Sequence, residues 1–429
     1  MRYALSLLVY SLSIPFSEIA KRQAIHLPQH QTVCHNSSAI AGYIRTGGKT
    51  GMNRPYDAIV VGLGVMGSAA AYHLAKMGQR VLALEQFELD HRNGSSHGES
   101  RIIRYAYAHP LYVQMAREAF ALWQALERAS GKRLMVRTGG FDFGFPDSPT
   151  LRATLQTLDS AAIPFEVLDE AGAARRFPQF KLEAGMIALY QADAAYLAAS
   201  ACVIAQAELA HTLGADLLFE TPVRRIEPLG DSVRVYTADR VYEAGKLIVT
   251  GGPWMGKLLG ALDLPLPLQP TREQIVFFEP HDQVLFTLER CPVFIFHSPT
   301  WFYGLPNVDG SGVKVGIHCN NEPCDPDTVN RTPDNAYVER IAAWTRQYIP
   351  LAAGEVKEAR VCLYTMTPDE HFVLDRHPAY PQIVFGAGFS GHGFKFGNLI
   401  GKLLADMALG NLISYDLSLF SIARFRQSV

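Results

Sequence analysis

Continuous apolar runs, short alternating stretches and helix-period stretches succeed one another along this chain, and their order predicts an α/β fold. Ala58-Ile59-Val60-Val61 is an unbroken apolar run of the kind buried in a parallel sheet. Residues 68–77 have helix-forming composition and Gly78 is a natural C-terminal stop; residues 80–84 make a second strand. Residues 111–131 and 148–162 read as amphipathic helices, and residues 194–214 contain an alanine-rich one. Short antiparallel strands are expected at residues 223–226, 233–236 and 241–242. They lead to an apolar strand from Lys246 that ends at Gly251-Gly252. From Pro265 to about Ile317 short strands and turns alternate, among them Phe277-Phe278, residues 293–296 and residues 301–303. This predicts a largely antiparallel sheet, the wall of a substrate pocket. Residues 383–388 then form a strand with glycines and residues 398–409 a helix, returning to the first kind of unit.

The two kinds of segment therefore interleave. A dinucleotide-binding part is expected from about 54–135, 195–260 and 355–429, and a substrate part from about 136–194 and 261–354. Residues 1–53 read as an N-terminal extension outside this fold. Arg2 precedes a short apolar stretch that ends near Pro15, too short to span a bilayer but similar to a weak secretory signal. The alternative is that Met52 is the true start, because the first convincing strand follows it within a few residues. That reading is favoured here, and with it a cytoplasmic location.

Length and composition narrow the class. The 429 residues suit two packed domains, and 48% hydrophobic with 19% charged residues is ordinary for a soluble enzyme. A net charge of −2 gives no electrostatic reason to expect nucleic acid or an anionic membrane as partner. The six cysteines are scattered with no C-x-x-C pair, which argues against a disulfide framework or structural zinc, and no His/Asp/Glu cluster suggests a metal.

Gly62-Leu63-Gly64-Val65-Met66-Gly67 directly follows the first strand and opens the helix. Gly62 permits the tight turn, Gly64 lets a pyrophosphate approach the backbone, and Gly67 lets helix pack closely on strand; the helix N-terminus offers N–H groups to phosphate. Glu85, eighteen residues after Gly67, is placed to accept hydrogen bonds from ribose hydroxyls. A lone G-x-G-x-x-G is weak, but strand, glycines, helix, strand and acid occur here in order. The pattern implies a dinucleotide and leaves NAD and FAD open.

Three further stretches are chemically unusual: residues 93–104 (Asn-Gly-Ser-Ser-His-Gly-Glu-Ser-Arg-Ile-Ile-Arg), Val361-Cys362-Leu363-Tyr364-Thr365 with Pro368-Asp369-Glu370, and Phe389-Ser390-Gly391-His392-Gly393-Phe394-Lys395. With the glycine run they resemble the monomeric sarcosine oxidase family of the D-amino-acid oxidase superfamily, which includes N-methyltryptophan oxidase and peroxisomal sarcosine/pipecolate oxidase. The likeness runs from about Tyr56 to Phe425. It implies an FAD-binding Rossmann-type domain, of the two-dinucleotide-binding-fold kind, interleaved with an antiparallel-sheet substrate domain. It further implies FAD contacts at Gly62, Gly64, Val65, Met66, Gly67, Glu85, Ser96, His97, Arg101, Val223, Gly251, Cys362, Gly391, His392, Gly393 and Lys395.

Cys362 matches the family cysteine bonded through sulfur to the flavin, and a thiolate there calls for an electropositive site. Its bland reading is a buried structural cysteine. Arg104 and Lys395 match the clamp on the substrate carboxylate, a planar fork beside a point charge. Arg101 matches a residue against the flavin face and would share a face with Arg104 if that segment were helical. Lys314 matches the oxygen-activating lysine, whose charge stabilises the superoxide-like transition state; blandly, Val313-Lys314-Val315 is an exposed strand. Tyr303, His318 and His392 match other pocket residues with catalytic roles, although a lone His or Tyr is usually structural.

The resemblance implies a monomeric enzyme that oxidises an N-methyl or cyclic secondary amino acid. The C–H next to nitrogen passes a hydride equivalent to flavin, the imine hydrolyses, and O2 is reduced to hydrogen peroxide. Two departures matter. Ser96 replaces the second histidine usual in sarcosine-specific bacterial members, which loosens the substrate reading. The C-terminal Gln427-Ser428-Val429 is not a peroxisomal tripeptide. Other readings are a glycine or D-amino-acid oxidase, a flavin dehydrogenase with another acceptor, and a non-catalytic flavin-binding protein. An NAD-dependent dehydrogenase rests on the glycine run alone.

Overall fold

The first strand, Tyr56–Val61, lies at the centre of a parallel array because its residues are apolar on both faces. It pairs in parallel with Val81–Leu84 on one side and with Val241–Val249 on the other. Asp216–Leu218 extends the sheet beyond Val81–Leu84, and Ile383–Ala387 adds in parallel to Val241–Val249. The antiparallel pair Arg225–Leu229 and Ser232–Tyr236 continues it, and Val373–Arg376 pairs antiparallel with Ile383–Ala387. This is a computed structural model, and it describes residues 55–427. The expected extension, residues 1–53, lies outside the described residues.

Helix Val65–Lys76 starts three residues earlier than its composition suggests, straight after Gly64. It packs against Gly397–Leu409, where a Cβ on Gly401 would come within 2.3 Å of the Ala69 side chain. Small residues thus let the two helices approach closely. Buried hydrogen bonds tie the layer together: Ser68 Oγ donates to Gln206 Oε1 at 2.8 Å, and His73 Nε2 bonds Asn398 Oδ1 at 2.7 Å.

The second sheet, nine-stranded among the described residues, carries Gly140–Gly144, Ile187–Gln191, Gln269–Phe278, Val293–His297, Phe302–Leu305, Val313–Ile317 and Val356–Met366. It is antiparallel as expected except at one place. Val293–His297 runs parallel to Gly140–Gly144, the two being joined through a long excursion of the chain rather than a hairpin. One face of this sheet packs on an aromatic core that includes Phe141, Phe143, Phe294, Phe296 and Trp344. A three-stranded sheet of Arg101–Ile103, Ala195–Leu197 and Met135–Arg137 completes the set.

Four local expectations change. Residues 223–224 precede the strand, which begins at Arg225. The stretches at 241–242 and 246–249 are one strand. Residues 194–214 split into strand Ala195–Leu197 and helix Ala199–Thr212. Arg101–Ile103 is a strand and not helical, so Arg101 and Arg104 share no helix face.

Candidate active site

A cavity of about 920 Å³ runs from the glycine turn to the inner sheet, near the upper end of the range typical for bound small molecules and cofactors. Its lining includes Glu85 at one end, Cys362, Lys314 and Tyr303 in the middle, and Arg104, Lys395 and His318 at the other. All the residues singled out from the sequence line it except Gly67. Gly67 sits behind the turn, where a Cβ would lie 1.7 Å from the Gly62 carbonyl oxygen, so only glycine allows this helix start to close on the strand end.

At the turn, Glu85 Oε2 accepts the Leu63 N–H at 2.7 Å, and Oε1 accepts the Phe87 N–H at 3.2 Å. The carboxylate is thereby fixed at the end of its strand and still lines the cavity. Ser96 Oγ accepts the Val65 N–H, the first amide of the glycine-loop helix, at 3.0 Å. Gly64 lines the cavity too, and among the described residues beyond its chain neighbours only Ser96 would lie within 4 Å of a Cβ placed there. The buried Nδ1 of His97 has no hydrogen-bond partner among the described residues, and burial with Arg101 and Lys314 nearby holds this ring neutral, its pKa pulled down to about 3. An open glycine cradle and an orphaned buried ring nitrogen in one cavity fit a long polar cofactor.

In the middle, the Ser100 carbonyl gathers two cations: Arg101 Nη1 at 2.8 Å and Lys314 Nζ at 3.1 Å. Arg101 Nη2 also donates to the carbonyls of Ser95 and His97, so its guanidinium is immobile. Lys314 is buried rather than exposed. Its strand alternates, with Val313, Val315 and Ile317 entering the aromatic core, but the opposite face looks into the cavity and not into water. Burial, and then Arg101, pull its pKa down to about 7.

Cys362 and Tyr364 are two apart on Val356–Met366, which pairs along Gln269–Phe278. The expected electropositive surroundings are present in Arg101 and Lys314, yet burial outweighs them and pushes the Cys362 thiol up. Burial likewise raises the Tyr303 hydroxyl, so it stays protonated.

At the far end, Lys395 Nζ donates to the Tyr107 hydroxyl and to the His392 carbonyl, both at 2.8 Å. Arg104 lies over the Tyr107 ring, 5.1 Å from its centroid. His392 Nε2 is 3.1 Å from the Glu370 carbonyl, which can only accept, so Nε2 carries the hydrogen and Nδ1 accepts from Tyr107 at 3.3 Å. Burial, then Lys395, lower the pKa of His392 well below the usual range. His318 is held at about 4 by burial and then by Lys395 and Arg104. Both rings are therefore neutral beside the cations. The loop that presents His392 is constrained: Ser390 has φ +45°, and Gly391 has φ +74° with the Tyr364 ring 2.2 Å from where a Cβ would stand.

Tyr107, Asp142 and His297 belong to this assembly and were missed by sequence reasoning, and Tyr364 was singled out only as part of its motif. Tyr107 stands three residues from Arg104, and that proximity was the available signal. His318, Cys319 and Glu370 also come together, with potential ligand atoms all within 4.8 Å, a grouping that their sequence spacing hides. Glu370 is exposed there, and such groups are common without an ion.

Comparison with known proteins agrees with this geometry. The FAD dependent oxidoreductase family, DAO, matches residues 57–407. The chain is 39% identical to monomeric sarcosine oxidase of Streptomyces avermitilis over 87% of its own length and 98% of that protein's. It is 36% identical to human peroxisomal sarcosine oxidase, covering 86% of this chain and 96% of the relative. Among solved structures it is similar to NikD, described as an unusual amino acid oxidase essential for nikkomycin biosynthesis, with TM-score 0.76, 26% identity and coverage of 86% and 97%. Among the described residues no helix is long and apolar enough to cross a membrane. The chain belongs to the DAO family of FAD-dependent oxidoreductases, in the branch that holds the sarcosine oxidases.

Proposed function

We propose that this chain is an oxidase of N-methyl or cyclic secondary amino acids, with O2 as electron acceptor and hydrogen peroxide as product. The observation that carries this reading is the joining of Arg104 and Lys395 through Tyr107 in the cavity that also receives Cys362 and Lys314. When bound, FAD supplies a two-electron acceptor for the substrate C–H bond and a donor to O2.

Arg104 and Lys395 hold the substrate carboxylate by charge-assisted hydrogen bonds. The same cations disfavour an ammonium beside them, so the amine binds in its neutral, oxidisable form. His318 and Tyr303 supply hydrogen bonds without adding charge, and neutral His392 holds the Tyr107 hydroxyl in place. Orientation of the C–H bond by this rigid set is the main contribution to rate. The imine product hydrolyses, giving formaldehyde and the demethylated amino acid from an N-methyl substrate.

Lys314 provides positive charge where O2 accepts electrons, assisted by immobile Arg101. Gly62, Gly64, Val65, Met66, Glu85, Ser96, His97, Val223, Gly251, Gly391 and Gly393 would hold FAD, with Gly67 acting through the helix start. Cys362 would anchor FAD through its sulfur. The deciding experiment offers sarcosine, pipecolate and N-methyltryptophan to the yellow holoenzyme. At least one should bleach the flavin without oxygen and yield peroxide in air. Failure of all three to bleach it would overturn the reading.

A further inference from the structure

Arg104 does not face the pocket unpaired. Its Nη1 donates to Asp142 Oδ2 at 3.0 Å, and the same oxygen accepts from His297 Nε2 at 3.0 Å. Arg104 is 7% exposed and the other two are 3% exposed, so water screens none of these contacts. His297 Nδ1 lies 3.4 Å from Thr150 Oγ1, which leaves Nε2 to carry the hydrogen toward the carboxylate. The parallel strand pair sets up the contact. Asp142 stands opposite Ile295, two residues before His297, so Asp142 and His297 come to one face.

Burial alone would neutralise Asp142, but Arg104 and His297 outweigh it and hold the carboxyl below its usual range. Lys395 has no carboxylate within ion-pair reach among the described residues; its partners are a hydroxyl and a carbonyl. The acids elsewhere near this end are otherwise occupied or open to solvent: Asp369 pairs with Arg424, and Glu370 is exposed. Burial, and then Arg104, lower the pKa of Lys395 well below the usual lysine range, so its positive charge is completed by a bound carboxylate. With that charge in place, two clamp cations and one fixed anion leave a single positive charge to be matched.

We propose that Asp142, held by His297, is a specificity-determining residue of the clamp. It occupies one edge and the charge of Arg104, so the pocket admits a substrate with one carboxylate and excludes one with a second carboxylate beside the amine. This rests on the carboxylate reading of Arg104 and Lys395 above. A second carboxylate at this end would be stripped of water with no clamp cation left to meet it, and would feel Asp142 behind Arg104 as a like charge.

The test compares acetate and malonate, both fully ionised, by their perturbation of the holoenzyme flavin spectrum. The native enzyme should bind acetate about tenfold tighter or more, and Asp142→Asn should narrow that ratio by about tenfold through a gain in malonate binding. A purely structural Asp142 would weaken both acids alike, and an unchanged ratio overturns the proposal. Equal or tighter malonate binding by the native enzyme overturns it too, even if Asp142→Asn fails to fold or to retain FAD. Silence from both acids overturns the clamp and the proposal together, whereas the oxidase reading stands or falls separately on flavin reduction by secondary amino acids.

Discussion

The Lys395 ammonium donates to the Tyr107 hydroxyl at 2.8 Å, across 288 residues of chain. That bond is one of two that keep a buried ammonium satisfied. Removing one partner of a buried charged group costs on the order of 1–3 kcal/mol. Tyr107→Phe should therefore raise KM for the amino-acid substrate by roughly tenfold or more, with a smaller fall in kcat. Steady-state peroxide production against substrate concentration checks the split.

Lys314 shares the Ser100 carbonyl with Arg101 and titrates near 7. Its charged form lies on the acid side, so reoxidation by O2 should slow as pH rises through about 7. Lys314→Met should slow reoxidation far more than flavin reduction and flatten that pH dependence. Stopped-flow measurement of the two half-reactions separates them; equal slowing of both would count against the oxygen role. Folding stability should change in the opposite sense with pH. The unfolded lysine keeps its proton up to about 10.5, so the cost of burying the charge is full below about 7 and is relieved as pH rises between these values.

If Cys362 anchors FAD, acid-precipitated native protein stays yellow and Cys362→Ala releases its flavin to the supernatant. A colourless native pellet would refute the anchor. The thiol is pushed up by burial, so attachment should be slow on mixing apoprotein with FAD and faster at higher pH.

Ser96 accepts the first amide of the glycine-loop helix. Ser96→Ala should cost about 1 kcal/mol of stability, the usual value of a lost helix cap. Thermal unfolding of the holoenzyme measures it, and FAD retention on dialysis reports whether the same hydroxyl also serves the cofactor.

The dinucleotide end was legible because its chemistry is local. Gly62 to Gly67 and Glu85 lie within one strand-turn-helix-strand unit, and their spacing alone sets who meets whom. Lys314 was ambiguous for an equally physical reason. Alternation on Val313–Ile317 says that Lys314 faces away from the valines, but not whether water or a cavity lies there. The Arg101–Arg104 spacing misled in the helical reading because three strand residues form there instead.

By itself the sequence determined the two classes of sheet, the glycine turn and the residues that resemble a family. Tertiary structure alone decided the partners of Arg104. Asp142 and His297 are 155 residues apart, and only the parallel register of Gly140–Gly144 on Val293–His297 puts both beside that guanidinium. Strand register depends on long-range pairing and on burial of whole faces, so no local spacing encodes it. That is why the anion beside Arg104 was invisible in the chain and is plain in the fold.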